Sequence, residues 1–112
     1  MKSEVSCKQN ILYQNQNGYV IKCKECNHFK VAFGTFCITQ TVPEFFEFMV
    51  KIYKIRESYK NQNICPEYKC IEVPTPLRNM SWIFNMNDIN NLVELLEQAC
   101  KKIEIEKNFC NN

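Results

Sequence analysis

Two glycines, one histidine, one aspartate and one tryptophan are all that 112 residues contain of these types: Gly18, Gly34, His28, Asp88 and Trp82. So little glycine leaves no Gly-rich loop able to cradle a nucleotide phosphate. One histidine and one aspartate leave the roles of a catalytic constellation unfilled. Glu104 and Glu106 stand together, but on a polar helix end where solvation accounts for them. The expectation is therefore a protein that is not an enzyme. No segment approaches the ~18–20 consecutive apolar residues that span a bilayer, so no membrane role is expected. Neither sign of charge prevails. Lys and Arg number 14 and Asp and Glu 12, and a net charge of +2 is too small to imply nucleic acid or an anionic membrane by itself. The opening residues Met1-Lys2-Ser3-Glu4-Val5-Ser6-Cys7 lack the apolar core of an export signal, which points to a cytoplasmic chain.

Apolar residues make up 46% and charged residues 23%, ordinary values for a globular domain, so disorder is rejected. The unusual count is eight cysteines. In an exported chain they would suggest disulfides; without an export signal, reduced thiols are the default.

The length suits one domain over residues 1–112. Its parts are a knuckle and hairpins over 1–40, a first helix over 41–60, a loop and strands over 61–86, a second helix over 87–107, and a tail over 108–112. Asn17-Gly18 between two strand-like runs fits a two-residue hairpin turn with positive φ angles. That turn sets Leu12 opposite Cys23 and, further out, carries Cys7 level with the segment from Cys26 to His28. Gly34-Thr35 fits a second hairpin, pairing Phe33 with Phe36 and Val31 with Ile38. Phe29, Val31, Phe33, Phe36 and Ile38 then share one apolar face.

Thr41, Pro43 and Glu44 read as a capping box opening a helix. Its apolar stripe includes Phe45, Phe46, Phe48, Met49, Val50, Ile52 and Ile55 and is wider than a surface helix needs. Either neighbours sandwich this helix, or part of it is a partner-binding face; Phe46, Val50 and Ile55 lie off the stripe's centre. Tyr68 to Val73 and Met80 to Met86 read as strands, and Asn87 as the cap of a helix with Ile89, Leu92, Val93, Leu96, Ala99 and Cys100 on its stripe. Phe36 and Ile38 before the first helix match Trp82 and Phe84 before the second at a spacing of 46, which suggests a duplicated unit. The expected class is α+β: an antiparallel sheet of hairpins with two helices on one face, in ββα–ββα order, with a zinc-ribbon-like N-terminal hairpin.

Cys23-Lys24-Glu25-Cys26-Asn27-His28 is the strongest motif. Two thiolates separated by two residues grip one tetrahedral zinc ion, and Asn27 tolerates the left-handed conformation the turn needs. Cys7 arrives by the hairpin register, and His28 is the natural fourth ligand, with Cys65 or Cys70 as substitutes. The expected cofactor is thus one structural Zn²⁺ on Cys7, Cys23, Cys26 and His28. A redox role fits less well, because the redox Cys-x-x-Cys opens a helix whereas a strand pattern follows Cys26. Lys22, Lys24 and Lys30 cluster around the knuckle with Tyr19 and Phe29, a basic and aromatic surface of the kind that binds single-stranded nucleic acid. A solvated hairpin face explains the same residues more simply. Cys100 reads as a small buried hydrophobe on the helical stripe.

The run Asn17-Gly18-Tyr19-Val20-Ile21-Lys22-Cys23-Lys24-Glu25-Cys26, followed by His28 and by Ala32-Phe33-Gly34-Thr35, resembles a family of small bacterial proteins of unknown function. The resemblance spans nearly the whole chain and implies a bacterial cytoplasmic protein of this length. It brings no activity, substrate or partner. The functional expectation is a zinc-stabilised interaction module that binds a protein partner or a second copy of itself. A nucleic-acid-binding module and a thiol redox protein are the alternatives.

Overall fold

The computed structural model describes residues 9–110, and the side chains of residues 9–105. Eight elements follow in order: β1 (Gln9–Asn15), β2 (Gly18–Cys23), β3 (Phe29–Phe33), β4 (Phe36–Gln40), α1 (Val42–Tyr59), β5 (Ile71–Pro74), β6 (Ser81–Phe84) and α2 (Met86–Cys110). The fold is α+β. The first four strands form one antiparallel sheet in the order β1-β2-β3-β4, and β5 and β6 form a separate two-stranded sheet. The order is therefore ββββα–ββα, where ββα–ββα was expected. The reason is pairing: β2 bonds along its length to β3, from Gly18↔Phe33 to Lys22↔Phe29, so the first hairpin is continuous with the second.

The β3–β4 hairpin has the expected register, with Phe33↔Phe36 and Val31↔Ile38. Gly34 takes φ 58° in its turn, a value costly to any residue with a Cβ. The first hairpin differs from expectation. Its loop is Gln16-Asn17, closed by Asn15↔Gly18, and the register shifts between Ile11 and Tyr13, so that Gln9, not Leu12, faces Cys23. The Asn15 side chain builds the turn: its Oδ1 accepts from the backbone N–H of Asn17 at 2.8 Å and of Gly18 at 3.3 Å. Gly18 has another purpose. A Cβ there would lie 1.9 Å from the Ala32 carbonyl oxygen, so only glycine lets β2 and β3 approach at this point.

The α1 cap is as the sequence implies. Thr41 Oγ1 accepts from the Glu44 N–H, and Glu44 Oε1 accepts from the Thr41 N–H at 2.9 Å. The cap of α2 is Asn85 and not Asn87. Asn85 Oδ1 accepts from the Asp88 N–H at 2.6 Å, and Asp88 Oδ2 accepts from the Asn85 N–H at 3.0 Å. This reciprocal pair starts the helix two residues early.

One face of the large sheet and both helices enclose the core. Val20, Phe29, Val31 and Phe33 from the sheet meet Phe45, Phe48 and Ile52 of α1 and Ile89, Leu92, Leu95, Leu96 and Ala99 of α2. Helix α2 packs on β1 and β2, and α1 packs beside β4. Met49, on the apolar stripe of α1, is only partly buried. The two sheets meet through rings: Phe36 stacks on Trp82 with centroids 4.1 Å apart, and Phe33 meets Phe84 edge-on at 6.1 Å. Among the described residues, no helix is long and apolar enough to cross a membrane.

Two substitutions test this packing. Phe33 is 6% exposed, so Phe33→Ala should cost about 3–5 kcal/mol in denaturant unfolding; a loss under about 0.5 kcal/mol contradicts its placement. Gly18→Ala should cost more than the ~1 kcal/mol of an average substitution, because backbone rather than side chain must move.

Candidate metal knuckle

Residues 23–28 turn the chain from β2 into β3. The Cys23 N–H donates to the His28 carbonyl at 2.9 Å, and the Asn27 N–H donates to the Cys23 carbonyl at 3.0 Å. Asn27 takes φ 59°, the left-handed conformation its amide side chain tolerates. With the chain so folded, the Cys26 N–H donates to Cys23 Sγ at 3.3 Å. His28 turns its Nδ1 to 2.8 Å from the Cys26 carbonyl oxygen.

Cys23, Cys26 and His28 line one small cavity of about 190 Å³, together with Gln9, Ile21, Phe29, Lys30 and Thr39. Three of the expected ligands are thus brought to one end of the sheet. Cys23 is buried, Cys26 exposed and His28 half-buried. Cys7 lies outside the described residues; Gln9, two positions after it, pairs with Cys23. Cys23 is disulfide-bonded, against the expectation of reduced thiols. Among the described residues, no group of three or more His, Cys, Asp and Glu side chains is arranged to hold a metal ion.

The substitutes are not drawn in. Cys65 and Cys70 are exposed free thiols and do not line this cavity. Their loop is tied to the start of α2: the Pro66 carbonyl accepts from the Asn87 N–H at 3.4 Å, and Lys69 Nζ reaches Asp88 Oδ2 at 2.6 Å. Of the basic and aromatic cluster, Phe29 is spent inside. It is 2% exposed, meets the Phe45 ring at a tilt with centroids 4.4 Å apart, and carries the Lys22 ammonium 5.9 Å from its centroid. The period-two run Phe29, Val31, Phe33 carried that signal in the sequence.

Cys100 lies far along α2, in a groove it shares with Met49, Val50, Tyr53 and Val93. Burial pushes its thiol above the ordinary range, and the nearby Glu104 and Glu97 carboxylates push it further. Sequence reasoning placed Cys100 on the buried stripe but missed the groove, whose signal was the excess width of the α1 stripe.

Residues 5–111 match the family of unknown function DUF6686, and the chain belongs to that family. No curated protein matches it, and no solved structure does.

The thiols should separate by reactivity. Under brief alkylation of the folded, unreduced protein at neutral pH, Cys37, Cys65 and Cys70 are exposed and should be modified first. Cys100, held as the thiol, should lag behind all three in peptide mass mapping; modification of Cys100 ahead of them contradicts its placement.

Proposed function

We propose that the chain is a non-catalytic interaction module whose N-terminal hairpin is braced, in the manner of a zinc ribbon, by one structural Zn²⁺. Cys7, Cys23 and Cys26 ligate as thiolates and His28 completes the set. One observation carries this reading: the 23–28 turn, with Asn27 left-handed and the Cys26 N–H on Cys23 Sγ. That backbone brings Cys23 and Cys26 into one turn and sets the Cys26 N–H on Cys23 Sγ, where it would also meet the thiolate of the reduced chain. With Nδ1 of His28 donating to the Cys26 carbonyl, Nε2 is the nitrogen left for a metal, and such a carbonyl contact is the usual support of a histidine ligand. Lys24 and Lys30 offset the charge of the thiolates.

The disulfide at Cys23 and zinc are alternatives at one sulfur, since only a thiolate ligates. The metal therefore loads the reduced chain. A thiol redox role takes support from the same bond, because Cys26 sits three residues from it. Against that role, β3 rather than a helix follows the pair, so no helix N-terminus activates the thiol. The nucleic-acid reading loses Phe29, which is buried, and keeps only the half-buried Tyr19 of its two rings.

Native mass spectrometry of the reduced chain, with and without chelator, tests the proposal. One Zn²⁺ per chain is expected, lost at acid pH as the ligands protonate. Cys7→Ser, Cys23→Ser and Cys26→Ser should each abolish stoichiometric zinc, and Cys37→Ser and Cys100→Ser should retain it. His28→Ala separates a histidine fourth ligand from a sulfur or water one. Reduced protein that takes up no zinc at neutral pH overturns the reading. Reversible exchange at Cys23 without metal would support the redox one instead.

A further inference from the structure

Helices α1 and α2 run antiparallel, so that Arg56 and Lys60 at the end of α1 neighbour Met86 and Asn90 at the start of α2. Their outer face is open. Val50 is 48% exposed and Tyr53 44%. Two hollows flank Val50 and Lys54. One, of about 670 Å³, lies between the helices over Met49, Tyr53 and Val93; the other, of about 630 Å³, lies on the far side of α1 over Phe46 and Ile55. Residues 50 and 54 belong to one i, i+4 row, so they form a ridge with a groove on either hand. Such rows are the features that helices interdigitate when they pack.

The charges around these hollows have an order of their own. On α1 stand Glu47, Lys51 and Lys54, net +1; on α2 stand Glu97, Lys101 and Glu104, net −1. All six are exposed, and among the described residues none is in an ion pair. The patch is apolar at its centre, charge-balanced at its rim, and opposite in sign from one helix to the other. A two-fold axis running along the helices sets α1 of one copy on α2 of the next. It then brings a net positive edge onto a net negative one twice over, while the Val50 ridge enters the partner's interhelical groove. A mixed-sign rim of this kind suits a copy of itself better than a polyanion or an acidic peptide, either of which would meet half the patch with repulsion.

We infer that the α1–α2 face is an isologous interface through which two copies of this chain form a dimer with a four-helix seam. This deepens the interaction reading by naming the partner, and it does not depend on zinc. The knuckle is at the end of the large sheet, and no residue lining its cavity lines either hollow.

Sedimentation velocity of the full chain over a range of concentrations, each with and without chelator, tests it. Wild type should pass from 13.3 kDa to twice that mass as concentration rises. Val50→Glu should stay a monomer throughout, and at concentrations where wild type is also monomeric its thermal unfolding should match wild type, because residue 50 is exposed. The charge pattern is tested by two double variants. K51E/K54E makes α1 wholly acidic, and E97K/E104K makes α2 wholly basic; each alone should be monomeric through like-charge repulsion, and an equimolar mixture should recover the dimer. A mass of 13.3 kDa at every concentration overturns the inference, as does a mixture that stays monomeric. A dimer that persists in chelator while zinc binding fails leaves this interface standing and removes only the metal. A dimer lost on chelation shows that the knuckle, not the helical face, holds the copies together, and overturns it.

Discussion

Hydrogen bonding stops at β4. Among the described residues no backbone bond joins the four-stranded sheet to the β5–β6 pair, so the relation between them rests on aromatic packing. Phe33 and Phe36 from one sheet meet Trp82 and Phe84 from the other, and Phe48 of α1 closes the cluster edge-on against Trp82. Each such ring pair contributes roughly 0.5–1.5 kcal/mol beyond the area it buries. The larger effect is geometric. Asn85 alone separates β6 from α2, so the angle at which the rings fix β6 also fixes where α2 leaves. That helix then covers β1 and β2, the hairpin that carries Cys23.

Where the sequence was legible, two independent signals agreed. The β3–β4 register follows both from Gly34-Thr35 and from the alternation of Phe29, Val31 and Phe33. The start of α1 follows from Thr41, Pro43 and Glu44 together. Where one signal stood alone, it misled. Asn17-Gly18 is a strong hairpin dipeptide, yet Asn15 supplies a side-chain oxygen that closes the turn one residue earlier. Gly18 is then needed for the close approach of Ala32, a tertiary demand that no local pattern displays. The α2 cap was misplaced for a related reason. Asn85 and Asn87 are equivalent as residue types, and only Asp88, at the right offset from Asn85, decides between them.

The knuckle was half legible. Its local conformation follows from short-range chemistry: two cysteines two residues apart and an asparagine able to adopt positive φ. The arrival of the remaining ligands depends on register: the earlier loop moves the residue opposite Cys23 by two positions and the bulge near Leu12 by one more, from Leu12 to Gln9. The helical groove was legible only as an excess. Phe46, Val50 and Ile55 lay off the centre of the stripe; of these the structure leaves Val50 exposed and the other two half-buried, with Tyr53 exposed beside them. A stripe too wide for its own fold marks a surface, but which neighbour is missing follows only once the charges of both helices are seen side by side.

The stack of Phe36 on Trp82 also makes the molecule its own optical gauge. Trp82 is the single indole, and it stands at the boundary between the two sheets, which among the described residues no backbone hydrogen bond crosses. Its emission therefore reports on the separation of the two sheets. Loosening at the Cys23 turn, at the opposite end of β3 from Phe33, leaves that emission unaltered until the seam itself opens. Intrinsic fluorescence thus sorts events at the hairpin from events at the junction without any label.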